Sequence, residues 1–301
     1  MICLKTFHFP TPDQDWNFFV SGRPEFSTKS WRSCYNSAYP FMLFRQRGLP
    51  DPFEFGSITV FCGNNGSGKS TLLNVISETL GLARTSPYNR SDFFDDYTRL
   101  CDYTLGCDVP PQSRIITSDD VFDRILDIRR LNEGVDDQRN VLLKEFVENR
   151  GDGADASLHG LSDYERWRRV WDARNKNVTG SAFVRSKLIR NVEERSNGES
   201  ALCFFVDAIA DGGLYLLDEP ENSLSPQNQL ALKYFLEDCV RGHGCQFILS
   251  THSPFLLSLC GAKIYDLDET PVKTKKWTEL ESVLAYQRFF RENESRFSKP
   301  D

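Results

Sequence analysis

The segment GNNGSGKST, residues 63–71, has the residue types and spacing of a site for a phosphate chain. It follows the apolar run ITVFC, precedes the helical pattern LLNVISETL, and matches G-x-x-x-x-G-K-[ST] in full. Its glycines let the backbone pass close to phosphate, and the amides of residues 66–71 then point at an anion at a helix N-terminus. The residues predicted to hold the nucleotide are Gly63, Asn64, Asn65, Gly66, Ser67, Gly68, Lys69, Ser70 and Thr71.

Two acidic residues later in the chain supply the groups that such a phosphate site also needs. The apolar run LYLL leads to Asp218, and Glu219 follows directly. A carboxylate at the end of a buried strand can hold the magnesium shell together with the Ser70 hydroxyl, and Glu219 can polarise an attacking water. Lys69 is expected to reach the β- and γ-phosphates. The sequence therefore predicts ATP and Mg²⁺ as cofactors, with catalysis of ATP hydrolysis.

The elements around these motifs predict an α/β fold with a mainly parallel sheet flanked by helices. The runs ITVFC, LYLLD and CQFILS have the composition of buried parallel strands, and a helical pattern follows each of them. Residues 1–56 contain short aromatic pieces such as CLKTFHF and WNFFV, which predict antiparallel strands ahead of the core. We expect one domain over residues 1–301, with an inserted, mainly helical lid over residues 84–195.

Composition limits the classes of protein to which the chain can belong. A net charge of −7 argues against a surface coated for nucleic acid, although it leaves room for a local basic face. No apolar run approaches the length of a membrane span, and the first residues lack the apolar segment of a signal peptide, so we expect a cytoplasmic protein without membrane contact. The nine cysteines include no C-x-x-C pair, which predicts reduced thiols and no zinc site.

The order of the motifs is similar to that of the ABC-type ATPases. GNNGSGKST is followed by SNGES at 196–200, then by LLDEPENSLS, then by STHSP at 250–254. That family places a signature sequence between its two Walker motifs and a switch histidine after them. The chain resembles most closely the stand-alone bacterial ATPases of the SMC/RecF-like branch, in a short "predicted ATPase" group of the AAA family. It is more distantly similar to the ATPase subunits of Septu-type and retron-linked phage defence.

This resemblance implies a P-loop NTPase fold of ABC type that covers most of the chain, and it implies further site residues. Ser196 and Gly198 match the Ser and the second Gly of the signature Leu-Ser-Gly-Gly-Gln, with Glu199 in place of the Gln. They would contact the γ-phosphate bound by the other protomer, although the Leu and the first Gly of the pattern are replaced here. His252 matches the switch histidine, which hydrogen-bonds the γ-phosphate. The resemblance thus implies a homodimer that forms with ATP.

Two parts of the family pattern have no clear match. The glutamine of the family's Q-loop is not evident, and Asp119 or Asp120, just after the strand RIIT, is expected to replace it; we assign Asp119 as a metal ligand. Gln112 is a less favoured alternative. The candidates for stacking on adenine are Tyr39, Phe41 and Phe44, with packing in the core as the alternative reading of each.

The sequence favours an ATP-gated homodimeric switch in a DNA-related or phage-defence process and leaves other functions open. Between residues 165 and 195, basic residues outnumber acidic ones nine to four and lie near two tryptophans. This pattern fits a lid that binds nucleic acid or an effector protein, or else a solvated helix face. The other functions are the energising subunit of a membrane transporter, a P-loop kinase, and a scaffold that holds ATP and hardly hydrolyses it.

Overall fold

The computed structural model describes residues 2–20, 38–150 and 197–297 of the protein. The strands are β1 (Leu4–His8), β2 (Phe53–Glu54), β3 (Ile58–Cys62), β4 (Asp102–Leu105), β5 (Arg114–Thr117), β6 (Leu214–Asp218), β7 (Gln246–Ser250), β8 (Lys263–Asp266) and β9 (Lys273–Lys275). The helices are α1 (Pro12–Val20), α2 (Lys69–Thr79), α3 (Phe94–Thr98), α4 (Ser118–Arg150), α5 (Asn197–Ala208), α6 (Pro226–His243), α7 (Pro254–Leu257), α8 (Glu281–Glu292) and α9 (Glu294–Phe297), with 3₁₀ turns at Pro220–Ser223 and Trp277–Glu279.

A six-stranded sheet in the order β5-β6-β7-β3-β8-β9 forms the centre of the fold. All neighbouring strands in it are parallel except β9, which runs antiparallel to β8. Every residue of β3 and β7 is buried, as the near-continuous apolar sequences of these strands predict. Helix α2 packs on β5, β6 and β7, and α6 packs against α5 and α7. The predicted α/β fold with a mainly parallel sheet is confirmed.

A second, antiparallel sheet has the order β2-β1-β4, so part of the predicted N-terminal strand structure is present. The buried side chain of Gln246 joins this sheet to the larger one. Its Oε1 accepts hydrogen bonds from the Cys3 and Leu4 amides, each at 2.9 Å, and its Nε2 donates to the Leu4 and Gly56 carbonyls. All four hydrogen-bonding positions of this amide are therefore satisfied inside the protein, which fixes β1 against the start of β7.

The segment WNFFV, predicted as a strand, lies instead in helix α1. The physical reason is a capping box: the Gln14 amide donates to Thr11 Oγ1 at 3.3 Å, and the Thr11 amide donates to Gln14 Oε1 at 2.8 Å. Pro12 then occupies the first helical position, where its missing N–H costs nothing. The local start signal at Thr11 therefore outweighs the strand preference of the aromatic residues that follow.

The described residues belong to two compact units. The first contains residues 2–20, 38–122 and 197–297, and the second contains the described part of residues 123–196. Residues 84–122, predicted as the start of the inserted lid, belong to the first unit, and Phe94, Tyr97 and Ile115 are buried in its core. The sequence patterns at 119–131 and about 135–149 predict two helices, but these residues form one 33-residue helix, α4. In the described part of the chain, no helix has both the length and the apolar character needed to cross a membrane.

Candidate nucleotide-binding site

Strand register brings the sequence motifs together at one edge of the large sheet. Thr117 pairs with Asp218, Asp218 with Ser250, and Ser250 with Phe61. The carboxyl ends of β5, β6, β7 and β3 therefore lie side by side. The loop 63–68, Glu219 and the residues after Ser250 all leave the sheet at this edge, where open α/β sheets bind their ligands.

The loop between β3 and α2 forms a cradle in which Gly63 and Gly68 leave no room for a side chain. Gly68 precedes α2 with a φ of 97°, in the left-handed region that favours glycine. A Cβ on Gly68 would lie 2.5 Å from Cε1 of Phe44, and one on Gly63 would lie 2.8 Å from Ser67 Oγ. Ser67 Oγ is buried and has no hydrogen-bond partner among the described residues. Such an orphaned hydroxyl, with the α2 N-terminus beside it, fits a bound anion.

Lys69 is buried and points into the site, with only 4% of its surface exposed. Its ammonium donates to the Gly63 carbonyl at 2.9 Å, to the Asn64 carbonyl at 3.3 Å and to His252 Nε2 at 2.7 Å. It also lies 3.7 Å from Glu219 Oε1. Two consecutive carbonyls of the loop, together with His252, thus hold the charged end of Lys69 beside the loop.

Asp218 lies at the end of β6, next to the first turn of α2. Its Oδ1 accepts hydrogen bonds from the Ser70 hydroxyl at 3.1 Å and from the Ser250 hydroxyl. Burial raises the pKa of the Asp218 carboxyl, and the two hydroxyl donors oppose that rise. A carboxylate and a hydroxyl in contact are the hard oxygen ligands that Mg²⁺ takes beside substrate phosphates, so Ser70 and Asp218 fit the predicted metal.

Glu219 has a backbone φ of 47°, which is uncommon for a residue other than glycine. The Glu219 amide donates to the carbonyl oxygen and to Oγ of Ser250, each at 3.1 Å. The carboxylate lies 3.6 Å from His252 Nε2, and its other oxygen accepts from Asn222 Nδ2 at 3.0 Å. The left-handed turn directs the Glu219 side chain toward Lys69 and His252, so strain of about 1–3 kcal/mol is stored where chemistry is expected.

His252 follows β7 and reaches the same point. Burial lowers the pKa of its imidazole, and the Lys69 charge lowers it further, while Glu219 opposes the shift. Because the Lys69 ammonium can only donate, Nε2 accepts and the ring proton lies on Nδ1. His252 is therefore a neutral acceptor in this state.

Glu221 is a site residue that the sequence reasoning missed. Its Oε1 accepts from the His252 amide at 2.6 Å and from the Ser253 amide at 3.2 Å. Burial raises the pKa of the Glu221 carboxyl, and the hydrogen bond from the His252 amide works against this. The only signal in the sequence is a third acid, three residues after Asp218, in LLDEPE. Its role is to hold the backbone that carries His252.

Two further residues brace the cradle from outside and were also missed. Arg47 donates to the Gly66 carbonyl at 3.2 Å and to the Leu267 carbonyl at 3.0 Å. Both carboxylate oxygens of Asp268 accept from the Asn64 amide, at 3.0 and 2.9 Å. These contacts depend on β8 lying beside β3, which no local pattern predicts.

The residues considered for the Q-loop position fall in different places. Asp120 is buried and caps the start of α4: Oδ2 accepts from the Thr117 amide and hydroxyl, and Oδ1 accepts from the Ser86 amide and hydroxyl. Gln112 lies at the other end of β5, where it donates to the Asp211 carbonyl at 2.6 Å, so it does not reach the site. Asp119 is exposed in the first turn of α4. Its metal role stays a prediction.

The three aromatic candidates for adenine stacking have distinct environments. Phe41 and Phe44 are buried core residues, and Phe41 stacks on Phe18 with ring centroids 4.5 Å apart. Tyr39 is half-buried, and its hydroxyl lies 3.0 Å from Thr71 Oγ1. The structure thus gives Phe41 and Phe44 the core role that the sequence left open.

The predicted signature lies at the start of α5. Ser196 lies outside the described residues, as do the basic residues of the predicted lid from 165 onward. Gly198 and Glu199 fall in the first turn of α5. Their contacts with a second protomer therefore remain predictions.

Comparison with known proteins gives one family and a set of similar folds. Residues 114–258 match the family described as "AAA domain, putative AbiEii toxin, Type IV TA system". This stretch runs from β5 to α7 and includes Asp218, Glu219 and His252, and the match agrees with the predicted resemblance to AAA-family ATPases. None of the curated proteins compared with the chain matches it.

Several solved structures are similar at low sequence identity. The Smc head domain of Pyrococcus furiosus, bound to the C-terminal domain of ScpA, has 15% identity over 79% of this chain and 95% of that chain, with a TM-score of 0.37. The SMC head domain from Thermotoga maritima has 13% identity over 91% and 99%, with a TM-score of 0.36. A dimeric ATP-binding cassette bound to ADP and Pi has 14% identity over 77% and 92%, with a TM-score of 0.34.

Proposed function

We propose that this chain, an AAA-type ATPase of the ABC and SMC kind, binds ATP at residues 63–71 and hydrolyses it to ADP and phosphate. The observation that supports the proposal is the meeting of Lys69, Glu219 and His252. The ammonium, the carboxylate and the imidazole, which come from three separate elements, lie within 3.7 Å of one another. They adjoin a loop whose free hydroxyl and helix N-terminus fit a phosphate.

Each residue then has a chemical task. The loop amides and Lys69 bind and orient the phosphates, and Ser70 and Asp218 hold Mg²⁺, which neutralises phosphate charge when bound. The Glu219 carboxylate accepts the proton of the attacking water, and its fixed backbone turn keeps the carboxylate near that water. His252 contacts the γ-phosphate through Nε2, while Glu221 keeps the loop in place. Catalysis depends mainly on positioning and charge stabilisation, as in other phosphoryl transfers.

We further propose that hydrolysis requires a second copy of the chain. One sheet edge contacts the γ-phosphate from one side only, so charge that develops in the transition state would face water on the other. Ser196, Gly198 and Glu199 of a second protomer would complete the enclosure. ATP would then hold the dimer together, and its cleavage would release the two copies.

The proposed setting is a DNA-related or phage-defence process, with nucleic acid or an effector protein as the partner of the lid. The family description, which names a toxin of a type IV toxin–antitoxin system, supports this setting. The excess of basic residues between 165 and 195 supports a nucleic-acid partner. Changing Arg168, Arg169 and Arg174 together to Glu should abolish DNA binding in a gel-shift assay, and unchanged binding would remove nucleic acid as the lid's partner.

The proposed function is tested with the Glu219→Gln variant, which should bind ATP but not activate water. Light scattering should report a monomer alone and a dimer with saturating Mg-ATP, and phosphate release should fall by a factor of about 100 or more. Glu237→Gln is the matched control, since the Glu237 carboxylate accepts a backbone amide, that of Cys260, away from the site. Transfer of phosphate from ATP to an acceptor other than water would show a kinase instead. An unchanged mass with ATP would contradict the switch.

A further inference from the structure

A groove of about 700 Å³ adjoins the candidate site on the side of helix α8. Glu221 and His252, which belong to the site, also line the groove. Its other walls come from the start of α6, from α7, and from the 3₁₀ turn and helix that follow β9. These walls are mainly apolar and include Pro226, Pro254, Phe255, Trp277, Leu284 and Phe290.

Helix α8 presents a ridge of exposed aromatic rings beside this groove. Tyr286, Phe289 and Phe290 are 48%, 58% and 53% exposed. The rings of Phe289 and Phe290 are 5.5 Å apart, and Phe297 of α9 lies 6.3 Å from Phe290. Large rings clustered on one surface mark a contact site more often than scattered surface apolar residues do. The α8 face is therefore a cluster of exposed rings that adjoins the candidate site.

We propose that a second copy of this chain covers the groove, with the α8 ridge of each copy packed on the groove of the other. This inference rests on the proposed function, which places a second protomer against Glu219 and His252. Because His252 and Glu221 line the groove, a protomer seated on the γ-phosphate side also lies over the groove. The groove and the nucleotide face thus form one continuous surface.

The shape of this surface suits a two-fold contact. In a dimer with two-fold symmetry the same patch must meet itself, so it must contain both a projection and a recess. The α8 face contains both, since Phe289 is exposed on the helix outside the groove, while Tyr286 and Phe290 of the same helix line it. A partner of unrelated shape would require only one of the two features.

The charges and the side-chain types of the surface fit the same occupant. Helix α8 carries Glu281, Glu292, Arg288 and Arg291, two acids and two bases, so two copies do not repel each other there. A stable interface needs about 800 Å² from each partner with an apolar centre. The nucleotide face supplies charged and polar groups, whereas large aromatic side chains, at about 150–250 Å² each when buried, supply the apolar centre.

The test uses the Glu219→Gln background, in which ATP is retained. Phe289→Glu and, separately, Phe290→Ala are compared with Tyr234→Glu, which changes a ring that is 57% exposed on α6 and does not line the groove. Sedimentation velocity across a concentration series in saturating Mg-ATP gives the dimer dissociation constant. A fluorescent ATP analogue and a thermal melt establish that each monomer is folded and binds nucleotide.

The proposal predicts that both α8 variants raise the dimer dissociation constant by about tenfold or more, as loss of a buried aromatic anchor does, while Tyr234→Glu stays within about twofold. With Glu219 intact, Phe289→Glu should lose activity at low protein concentration and regain it at high concentration. If the chain forms a dimer with ATP but the α8 variants do not change its dissociation constant, the α8 inference is wrong and the proposed dimer stands. A Glu219→Gln chain that binds ATP and stays monomeric would overturn the proposed dimer and this inference together.

Discussion

Replacing Glu221 with Gln removes one negative charge beneath the loop that carries His252 while keeping the shape of the side chain. In the native protein one carboxylate oxygen accepts from the His252 and Ser253 amides. The amide oxygen of Gln can accept the same two bonds, but as a neutral acceptor. The change therefore tests whether the charge on Glu221 fixes the position of His252.

The expected loss of activity follows from these two bonds. Hydrogen bonds to charged groups contribute roughly 1.5–3 kcal/mol, and those between neutral groups roughly 0.5–1.5 kcal/mol. Two bonds that each weaken by about 1 kcal/mol give a loss of about 2 kcal/mol in holding the loop. If His252 must be in place in the transition state, kcat should fall by a factor of about 30.

The same change is expected to leave the stability of the fold nearly unaltered, although it lowers activity. Burial raises the pKa of Glu221 above its ordinary value of 4.5. A carboxyl with a raised pKa contributes stability that is fully present below its unfolded pKa and is lost as the pH rises through the folded value. Gln carries no such charge, so Glu221→Gln should remove this loss at neutral pH and offset the weakened hydrogen bonds. We expect a Tm within about 3 °C of the native value at pH 7, with a smaller change in Tm between pH 4 and 7.

The assay measures kcat at saturating Mg-ATP and thermal melting from pH 4 to 8, with Glu237→Gln as control. Like Glu221, Glu237 accepts a backbone amide, but from Cys260, on a loop outside the site. The control should keep full activity. A normal melt with kcat within twofold of native would refute the role of Glu221 in positioning His252. A fall in Tm of about 10 °C or more would show that Glu221 supports the fold instead.

Further predictions concern the start of α4 and the cradle. In Asp120→Asn, an NH₂ group replaces a carboxylate oxygen that accepts from Ser86 or from Thr117. The free energy of unfolding should fall by about 2–3 kcal/mol, measured as a lower Tm, while the folded fraction keeps its kcat. If Asp119 assists the metal, Asp119→Asn should leave the Tm unchanged and raise the Mg²⁺ concentration needed for half-maximal activity. Gly68→Ala should abolish binding of a fluorescent ATP analogue, because the new Cβ would lie 2.5 Å from the Phe44 ring at a φ of 97°.

The sequence predicted the parts of the site whose chemistry is contained in a short stretch. The turn from β3 into α2 at residues 63–68 and the position of Asp218 at the end of β6 follow from the sequence because each depends on neighbours within a few residues, and the caps of α6 and α7 are equally local. The Ser225 side chain accepts from the Asn228 amide, and Ser253 accepts from the Phe255 and Leu256 amides, as the Ser-Pro pairs indicate. The α1 capping box at Thr11 and Gln14 is equally local, but the aromatic run after it has the composition of a strand.

The residues that were missed act through space between strands distant in sequence. Asp268 reaches the Asn64 amide because β8 pairs with β3, and Ser250 reaches Asp218 because β7 lies between β3 and β6. Strand order decides both contacts, and the sequence gives the strands but not their order. Glu221 is the third acid of LLDEPE, but its role depends on the fold of the loop at residues 251–253.

The contacts of Lys69 indicate which of its hydrogen bonds a bound phosphate would replace. The three ammonium donors are directed to two loop carbonyls and to His252 Nε2, so an arriving phosphate must displace one of them. The carbonyls belong to the same loop as Lys69, whereas His252 belongs to another strand and is the partner most readily exchanged. Once released, Nε2 can donate to phosphate only after the ring gains a proton or changes tautomer. If the proposed function holds, phosphate binding is therefore coupled to a change in either the protonation or the tautomer of His252.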